Sequence, residues 1–145
     1  MNVTLEIELP RQTRAITVLR HAVGTLCTEI GVYPDDVHDL TLALSEACNN
    51  VVTHAKDDDT FTVRFQLRDL TASVHVVNER TPYLSDAFAG TEPVDPLSES
   101  GRGVAIMRAL VDEARFTPSP DGGTLVELTR AVAATENSLL ADSVS

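Results

Sequence analysis

The stretch LTLALSEACNNVVTHA, residues 40–55, decides how the rest of the chain is read. Leu40, Leu44, Ala47 and Val51 recur at spacings of three and four, which sets them on one apolar face of a helix. Glu46, Asn50 and His54 recur every four residues and form a polar line beside that face. A half-exposed helix needs a polar side, and residues four apart are neighbours in any helix, so the spacing alone leaves their purpose open. The flanking sequence has to supply it.

Upstream, Val3, Leu5, Ile7 and Leu9 alternate with Thr4, Glu6 and Glu8, the pattern of a half-buried strand, closed by Pro10. Two helices are predicted next, over 12–30 and 35–55, separated by Gly31 and Pro34, with Asp35 and Asp36 suited to the second helix's N-terminal end. The polar run KDDD then breaks the pattern. Phe61, Val63, Phe65 and Leu67 alternate with polar residues and 73–78 continues in kind, so 60–78 reads as a hairpin turning near Asp69. Periodicity vanishes from 79 to 100, and a loop of that length in a compact domain points to a lid or a binding loop. In GRGVAIMRALVDEA, residues 101–114, Val104, Met107, Ala109, Leu110 and Ala114 fit a helix with glycines at its start. ARFTP and, after PDGG, TLVELTR read as strands, with Leu125 and Leu128 assigned to the core. The small, polar segment after Arg130 is expected to fray, which gives one domain over 1–131 and a disordered tail over 132–145. The order strand, two helices, two strands, lid, helix, two strands implies an α/β two-layer sandwich: a mixed, mostly antiparallel sheet covered on one face by helices.

Composition narrows the function classes. A length of 145 residues suits one domain, and 43% hydrophobic content is that of an ordinary globular protein. With 22 acidic against 11 basic residues the net charge is -11, which repels phosphate backbones, and the chain has no Trp to stack bases on. Direct nucleic-acid binding is therefore not expected. A basic protein partner or a metal-bridged ligand fits this charge, and so does an acidic surface serving solubility alone. The N-terminus lacks the basic and apolar segments of a signal peptide, and no run reaches the length of a membrane span. Cys27 and Cys48 lie among apolar neighbours without metal-ligand spacing and read as buried, reduced thiols. These features point to a cytoplasmic protein.

Taken in order, LALSEACNNVVTHA, VHVVN before the irregular loop, SGRGVAIMRALVDEA and GGTLVEL resemble the ATP-binding domain of bacterial anti-sigma-factor serine kinases of the RsbW and SpoIIAB type, within the GHKL superfamily of Bergerat-fold ATPases. The likeness runs from about Leu5 to Arg130. A lone G-x-G says almost nothing, whereas E-x-x-x-N on a helix, a lid, a G-x-G helix start and a terminal G-T strand in this order are specific together.

The resemblance implies a role for each block. Asn50 would serve the Mg²⁺ site, since a carboxamide oxygen is a hard ligand and Mg²⁺ keeps waters and phosphate oxygens as its others. Glu46, one turn earlier, would be the general base for an attacking hydroxyl. His54 reads instead as a packed or capping residue. Gly101 and Gly103 would let the backbone approach the ATP phosphates at a helix start, with Arg102 adding a charge-assisted bond. Thr124 matches a terminal-strand threonine near the adenine. One block departs from the family: where D-x-G-x-G is usual this chain has NERTP, with Asn78 at the aspartate position and Arg80 and Pro82 replacing the glycines. An Asn oxygen still accepts a bond from the adenine amino group but without the charge, which implies weaker ATP binding by about 1 to 2 kcal/mol.

The implied activity is that of an anti-sigma factor with Mg-ATP-dependent serine/threonine kinase activity, a homodimer that sequesters a sigma factor and phosphorylates an anti-sigma-factor antagonist of the STAS class. Arg20, in the first helix, stands where such kinases present an arginine to both protein partners. Arg14 is six residues earlier and points elsewhere. The alternative is a module of the same fold that holds its partner with little or no phosphotransfer. Retention of Glu46 favours the kinase. A sensor histidine kinase is not expected, because no dimerisation helix pair with a phospho-accepting histidine precedes the ATP-binding blocks.

Overall fold

The computed structural model describes residues 1–53, 60–78, 99–118 and 124–140. Strand β1 (Asn2–Pro10) alternates exposed and half-buried side chains, as its sequence pattern requires. Helix α1 (Thr13–Ile30) buries Ala15, Ile16, Leu19, Val23, Cys27 and Ile30 along one stripe. It ends at Gly31, whose φ of 102° is left-handed and lets its N–H donate to Cys27 O and Thr28 O, while Val32 N donates to Cys27 O at 2.9 Å. Reversing the chain here needs glycine, the residue that enters this region without Cβ strain.

Helix α2 (Pro34–Thr53) starts with Asp35 and Asp36 in its first turn and buries Leu40, Leu44, Ala47 and Val51 at 1% exposure or less. Ser45 is also buried, and its hydroxyl donates to Thr41 O one turn back, so it adds no unpaired group to the core. Strands β2 (Thr60–Arg68) and β3 (Thr71–Asn78) form the predicted hairpin, with Asp69 and Leu70 at its tip at φ 47° and 64°. Two consecutive residues with positive φ match the twist of the strands they join. For Leu70 that conformation is strained, but its side chain packs against the core and its carbonyl accepts from Val132 N at 2.9 Å.

Helix α3 (Glu99–Leu110) leads into β4 (Glu113–Pro118) and β5 (Thr124–Ala131). Ala114, expected in the helix, lies in β4, and Ala109 is exposed. The helical spacing continues one turn past where the chain leaves the helix. In β5 the core residues are Val126 and Leu128, whereas Leu125 faces the other side, because positions three apart lie on opposite faces of a strand.

The five strands form one sheet in the order β1-β2-β3-β5-β4, and every described pairing is antiparallel, so the sheet is not mixed. The face carrying Phe61, Val63, Phe65, Leu67, Val74, Val76, Val126 and Leu128 is buried beneath the helices. Its other face is mostly polar, with Val77 and Leu125 side by side on it. This is the two-layer sandwich expected.

The segment after β5 differs from expectation over 132–140, which packs onto the fold. Thr135 N donates to Gly31 O at 2.8 Å, Leu139 N to Ile30 O at 2.9 Å, and Tyr33 N to Ala133 O at 2.8 Å. Ser138 Oγ donates to Ile30 O, and Leu140 is fully buried. The bonds to Ile30 O and Gly31 O satisfy carbonyls that the end of α1 leaves without helical partners. Composition cannot show that a small, polar segment will meet a helix end. Residues 141–145 lie outside the described residues.

Candidate functional site

Glu46 and Asn50 stand one turn apart on α2, Glu46 half-buried and Asn50 at 6% exposure. Both face the start of α3. A Cβ placed on Gly103 would lie 3.2 Å from Glu46 Oε2, 3.3 Å from Asn50 Oδ1 and 3.6 Å from Asn50 Nδ2. A carboxylate and a carboxamide thus crowd the backbone of the second glycine in the G-x-G block, and a side chain there would push both back by a few tenths of an ångström. The Asn50 Nδ2 group is buried with no hydrogen-bond partner among the described residues. An orphaned buried donor costs about 1 to 3 kcal/mol, and a ligand with an acceptor oxygen at this position would remove that cost.

Gly101, Arg102 and Gly103 lie in the first two turns of α3, with Arg102 exposed and Gly103 buried. The first four N–H groups of a helix have no partner within it and sit at the positive end of its dipole, an arrangement suited to an anion. Among the described residues no three His, Cys, Asp or Glu side chains gather as a metal-ligand set. A hard cation here would take Asn50 and fill its remaining positions with phosphate oxygens and water.

Asn78 ends β3 and Thr124 begins β5, and the register sets these two directly opposite each other. They are 46 positions apart in sequence, and strand pairing brings them to one end of the sheet. His54, Arg80, Pro82 and the 79–98 part of the expected lid lie outside the described residues. Residues 99–100, also assigned to the lid, belong to α3. Arg20 is exposed on α1.

One residue escaped the sequence reading. Arg130, on β5, donates through Nη2 to Asp36 Oδ1 at 2.7 Å, approaches Asp39 Oδ2 at 3.1 Å, and donates through Nη1 to Leu110 O. It ties the first turn of α2 to the last residue of α3. The two helices that carry Glu46, Asn50 and Gly103 are therefore held at one end by a guanidinium and meet closely at the other. Asp36 Oδ2 also accepts from Ala133 N, so the docked segment after β5 joins the same network. No local signal in the sequence could have shown this, since Asp36 and Arg130 are 94 residues apart.

Cys27 and Cys48 are free and buried, and burial raises their thiols from 9.0 to about 11 and about 12. Neither is poised as a thiolate. No helix among the described residues is long and apolar enough to cross a membrane.

Comparison with known proteins places the fold and the family. Residues 9–130 match the histidine kinase-like ATPase domain family. The serine-protein kinase RsbW of Halalkalibacterium halodurans is 27% identical over 98% of this chain and 91% of its own. RsbW of Bacillus licheniformis is 32% identical over 87% of this chain and 84% of its own. Among solved structures, the RsbU and RsbW domains of a Mycobacterium tuberculosis protein superpose with a TM-score of 0.69 at 26% identity, covering 92% of this chain and 33% of that longer one. A chain of the SiaB-SiaC complex from Pseudomonas aeruginosa has the same fold, with a TM-score of 0.66 at 17% identity. The chain belongs to the histidine kinase-like ATPase domain family, and the RsbW serine-protein kinases are among its relatives.

Proposed function

We propose that this protein is an anti-sigma factor that binds Mg-ATP and transfers the γ-phosphoryl group to a serine or threonine of an anti-sigma-factor antagonist of the STAS class, acting as a homodimer that also sequesters a sigma factor. The observation that carries the reading is the convergence of Glu46 and Asn50 on Gly103, with an unpartnered buried amide among them, in a chain of this family. Glu46 takes the proton of the attacking hydroxyl as its oxygen bonds to phosphorus and the bond to the ADP oxygen breaks. Asn50 would hold Mg²⁺ through its carboxamide oxygen, and the ion would supply neutralisation of charge on the phosphates. Its orphaned Nδ2 gains a phosphate oxygen as acceptor. The N–H of Gly101, in the open first turn of α3, and the exposed Arg102 hold the phosphates, Gly103 leaves room for them beside Glu46 and Asn50, and Asn78 and Thr124 receive the adenine edge.

The test is transfer of phosphoryl from Mg-ATP to the purified antagonist, alongside calorimetry of nucleotide binding. Glu46→Ala should lower transfer by about 10² to 10⁴ while leaving ATP affinity nearly unchanged, since a base acts on the reaction and not on binding. Asn50→Ala should weaken Mg-ATP itself. Transfer at the wild-type rate by Glu46→Ala would remove that residue from the mechanism. Arg20→Glu should weaken the sigma factor and the antagonist by more than about tenfold without moving ATP affinity, since it reverses an exposed charge outside the nucleotide site. Retained sigma binding would place the partner face elsewhere.

A second reading has its own support. Asn78 stands where the family aspartate accepts from adenine, and a module that grips a partner with little phosphotransfer can tolerate that loss. ATP binding without transfer to any antagonist would favour it.

A further inference from the structure

Val126, Leu128, Arg130 and Val132 alternate along the core face of β5 and just past its end, so one guanidinium stands in a row that is otherwise buried and apolar. Ala72, opposite Arg130 on β3, is small and fully buried, which leaves space beside it for a long side chain. The side chain of Arg130 is 19% exposed, that of Asp36 16% and that of Asp39 32%. Nη2 binds both aspartates and Nη1 donates to Leu110 O, while Nε is buried with no acceptor among the described residues.

Stability alone does not call for this arrangement. A half-buried ion pair adds little over apolar side chains filling the same space, and an Nε without an acceptor subtracts from what the pair adds. Capping Leu110 O would need neither aspartate. What the three contacts achieve together is geometric, because one planar, rigid fork joins the beginning of α2 to the end of α3. Asp39 and Glu46 are seven positions apart on α2, as are Gly103 and Leu110 on α3. Glu46 and Gly103 therefore each lie about 10 Å along a helix from this clasp. Over two turns a helix moves as a rod, and a slip of α3 at Leu110 reappears at Gly103. The clearance there is narrow, since a Cβ on Gly103 would already lie 3.2 Å from Glu46 Oε2.

We propose that Arg130 is a positioning residue of the nucleotide site: it fixes how far α3 lies along α2, and so holds the phosphate-binding turn before Gly103 in line with Glu46. The base belongs to α2, whereas the open turn that receives the phosphates belongs to α3, so the reaction needs the two helices aligned. Folding tolerates a small slip between them. Catalysis does not, because a misplacement of about 1 Å between reacting groups costs about a hundredfold in rate. The inference rests on the phosphoryl-transfer reading of this site and names what keeps its two halves in register.

The test uses the full chain with Arg130→Lys, which keeps the charge and can reach an aspartate but has no fork to join three partners. Backbone amide NMR spectra of the nucleotide-free protein come first. The amides of Glu46 and Gly103 should shift in the variant, although each lies two turns from the changed group. Shifts confined to Asp36, Asp39 and Leu110 would reduce Arg130 to a local cap. Transfer from Mg-ATP to the antagonist should then show kcat lowered by about tenfold to a hundredfold with KM for ATP changed by less than about threefold, the split expected when alignment is lost and binding is kept. Added to Glu46→Ala, Arg130→Lys should lower transfer by no more than about twofold further, because residues that act as a unit are not additive. Asp39→Asn, which loosens the clasp from the α2 side at a more exposed position, carries the same expectations should Arg130→Lys fail to fold. Unmoved amides at Glu46 and Gly103, a wild-type kcat, or losses that add to those of Glu46→Ala would overturn the proposal. A wild type that transfers nothing would sink the kinase reading alone, since the amide spectra need neither nucleotide nor antagonist and still decide whether Arg130 sets the register.

Discussion

Replacing Gly103 by alanine should separate folding from nucleotide binding. Gly103 lies within α3, where alanine is favoured over glycine by about 1 kcal/mol. The added methyl would stand 3.2 Å from Glu46 Oε2 and 3.3 Å from Asn50 Oδ1, so both oxygens must withdraw by a few tenths of an ångström. Glu46 is half-buried and its carboxylate ends a flexible side chain, so it moves at little cost. Asn50, at 6% exposure, is held by its neighbours, and forcing it off its rotamer costs about 0.5 to 1.5 kcal/mol. The two effects nearly cancel, leaving stability within about 1 kcal/mol of wild type and the melting temperature within about 4 °C. Binding has no such compensation. The methyl fills the space between α3 and the two polar groups, and one charge-assisted hydrogen bond to phosphate is worth about 1.5 to 3 kcal/mol, or about ten- to a hundredfold in affinity. Calorimetry with Mg-ATP beside thermal melts of the nucleotide-free protein measures both. Unchanged ATP affinity would refute the idea that this glycine makes room for phosphate, and a large fall in melting temperature alongside lost binding would mean general damage.

Four further outcomes are expected. Gly31→Ala should cost about 3 kcal/mol in urea unfolding, because φ is 102° and the new Cβ would lie 2.6 Å from Ser138 Cα; a loss below about 1 kcal/mol would mean that the 132–140 segment is not docked there. Arg130→Met should destabilise by about 3 kcal/mol by leaving the half-buried Asp36 and Asp39 without their cation, and calorimetric unfolding of this variant checks it. Both thiols are neutral in the fold and are raised above 9.0, so their contribution is complete below pH 9 and is lost as pH rises through about 11 and about 12. The urea midpoint should accordingly fall above pH 9, and the fall should be shallower in Cys48→Ala. Asn78→Asp should tighten ATP by about tenfold, or about 1.4 kcal/mol, with no equal gain for GTP; equal gains would place Asn78 outside the base pocket.

Local pattern was enough for most of the elements. Period-two alternation marked β1, β2 and β3, and period-3.6 recurrence marked α1 and α2, because each buries one face and the sequence must repeat with the geometry. Gly31 showed where α1 stops, since the left-handed cap it forms suits glycine. The E-x-x-x-N spacing on α2 likewise placed Glu46 and Asn50 on one side of a single helix. Pattern misleads where it continues past its element: a helical period runs from α3 into Ala114 of β4, and hydrophobicity points Leu125 to the core while its parity in β5 points it outward. What only the tertiary structure decided depends on contacts between distant segments. Gly103 reaches Glu46 and Asn50 because α2 and α3 pack together, Asn78 faces Thr124 because β3 pairs with β5, and Arg130 binds Asp36 across 94 residues. Residues 132–140 are ordered by the unpaired carbonyls at the end of α1. Periodicity is a property of one element against one core, so it carries no information about which distant groups meet.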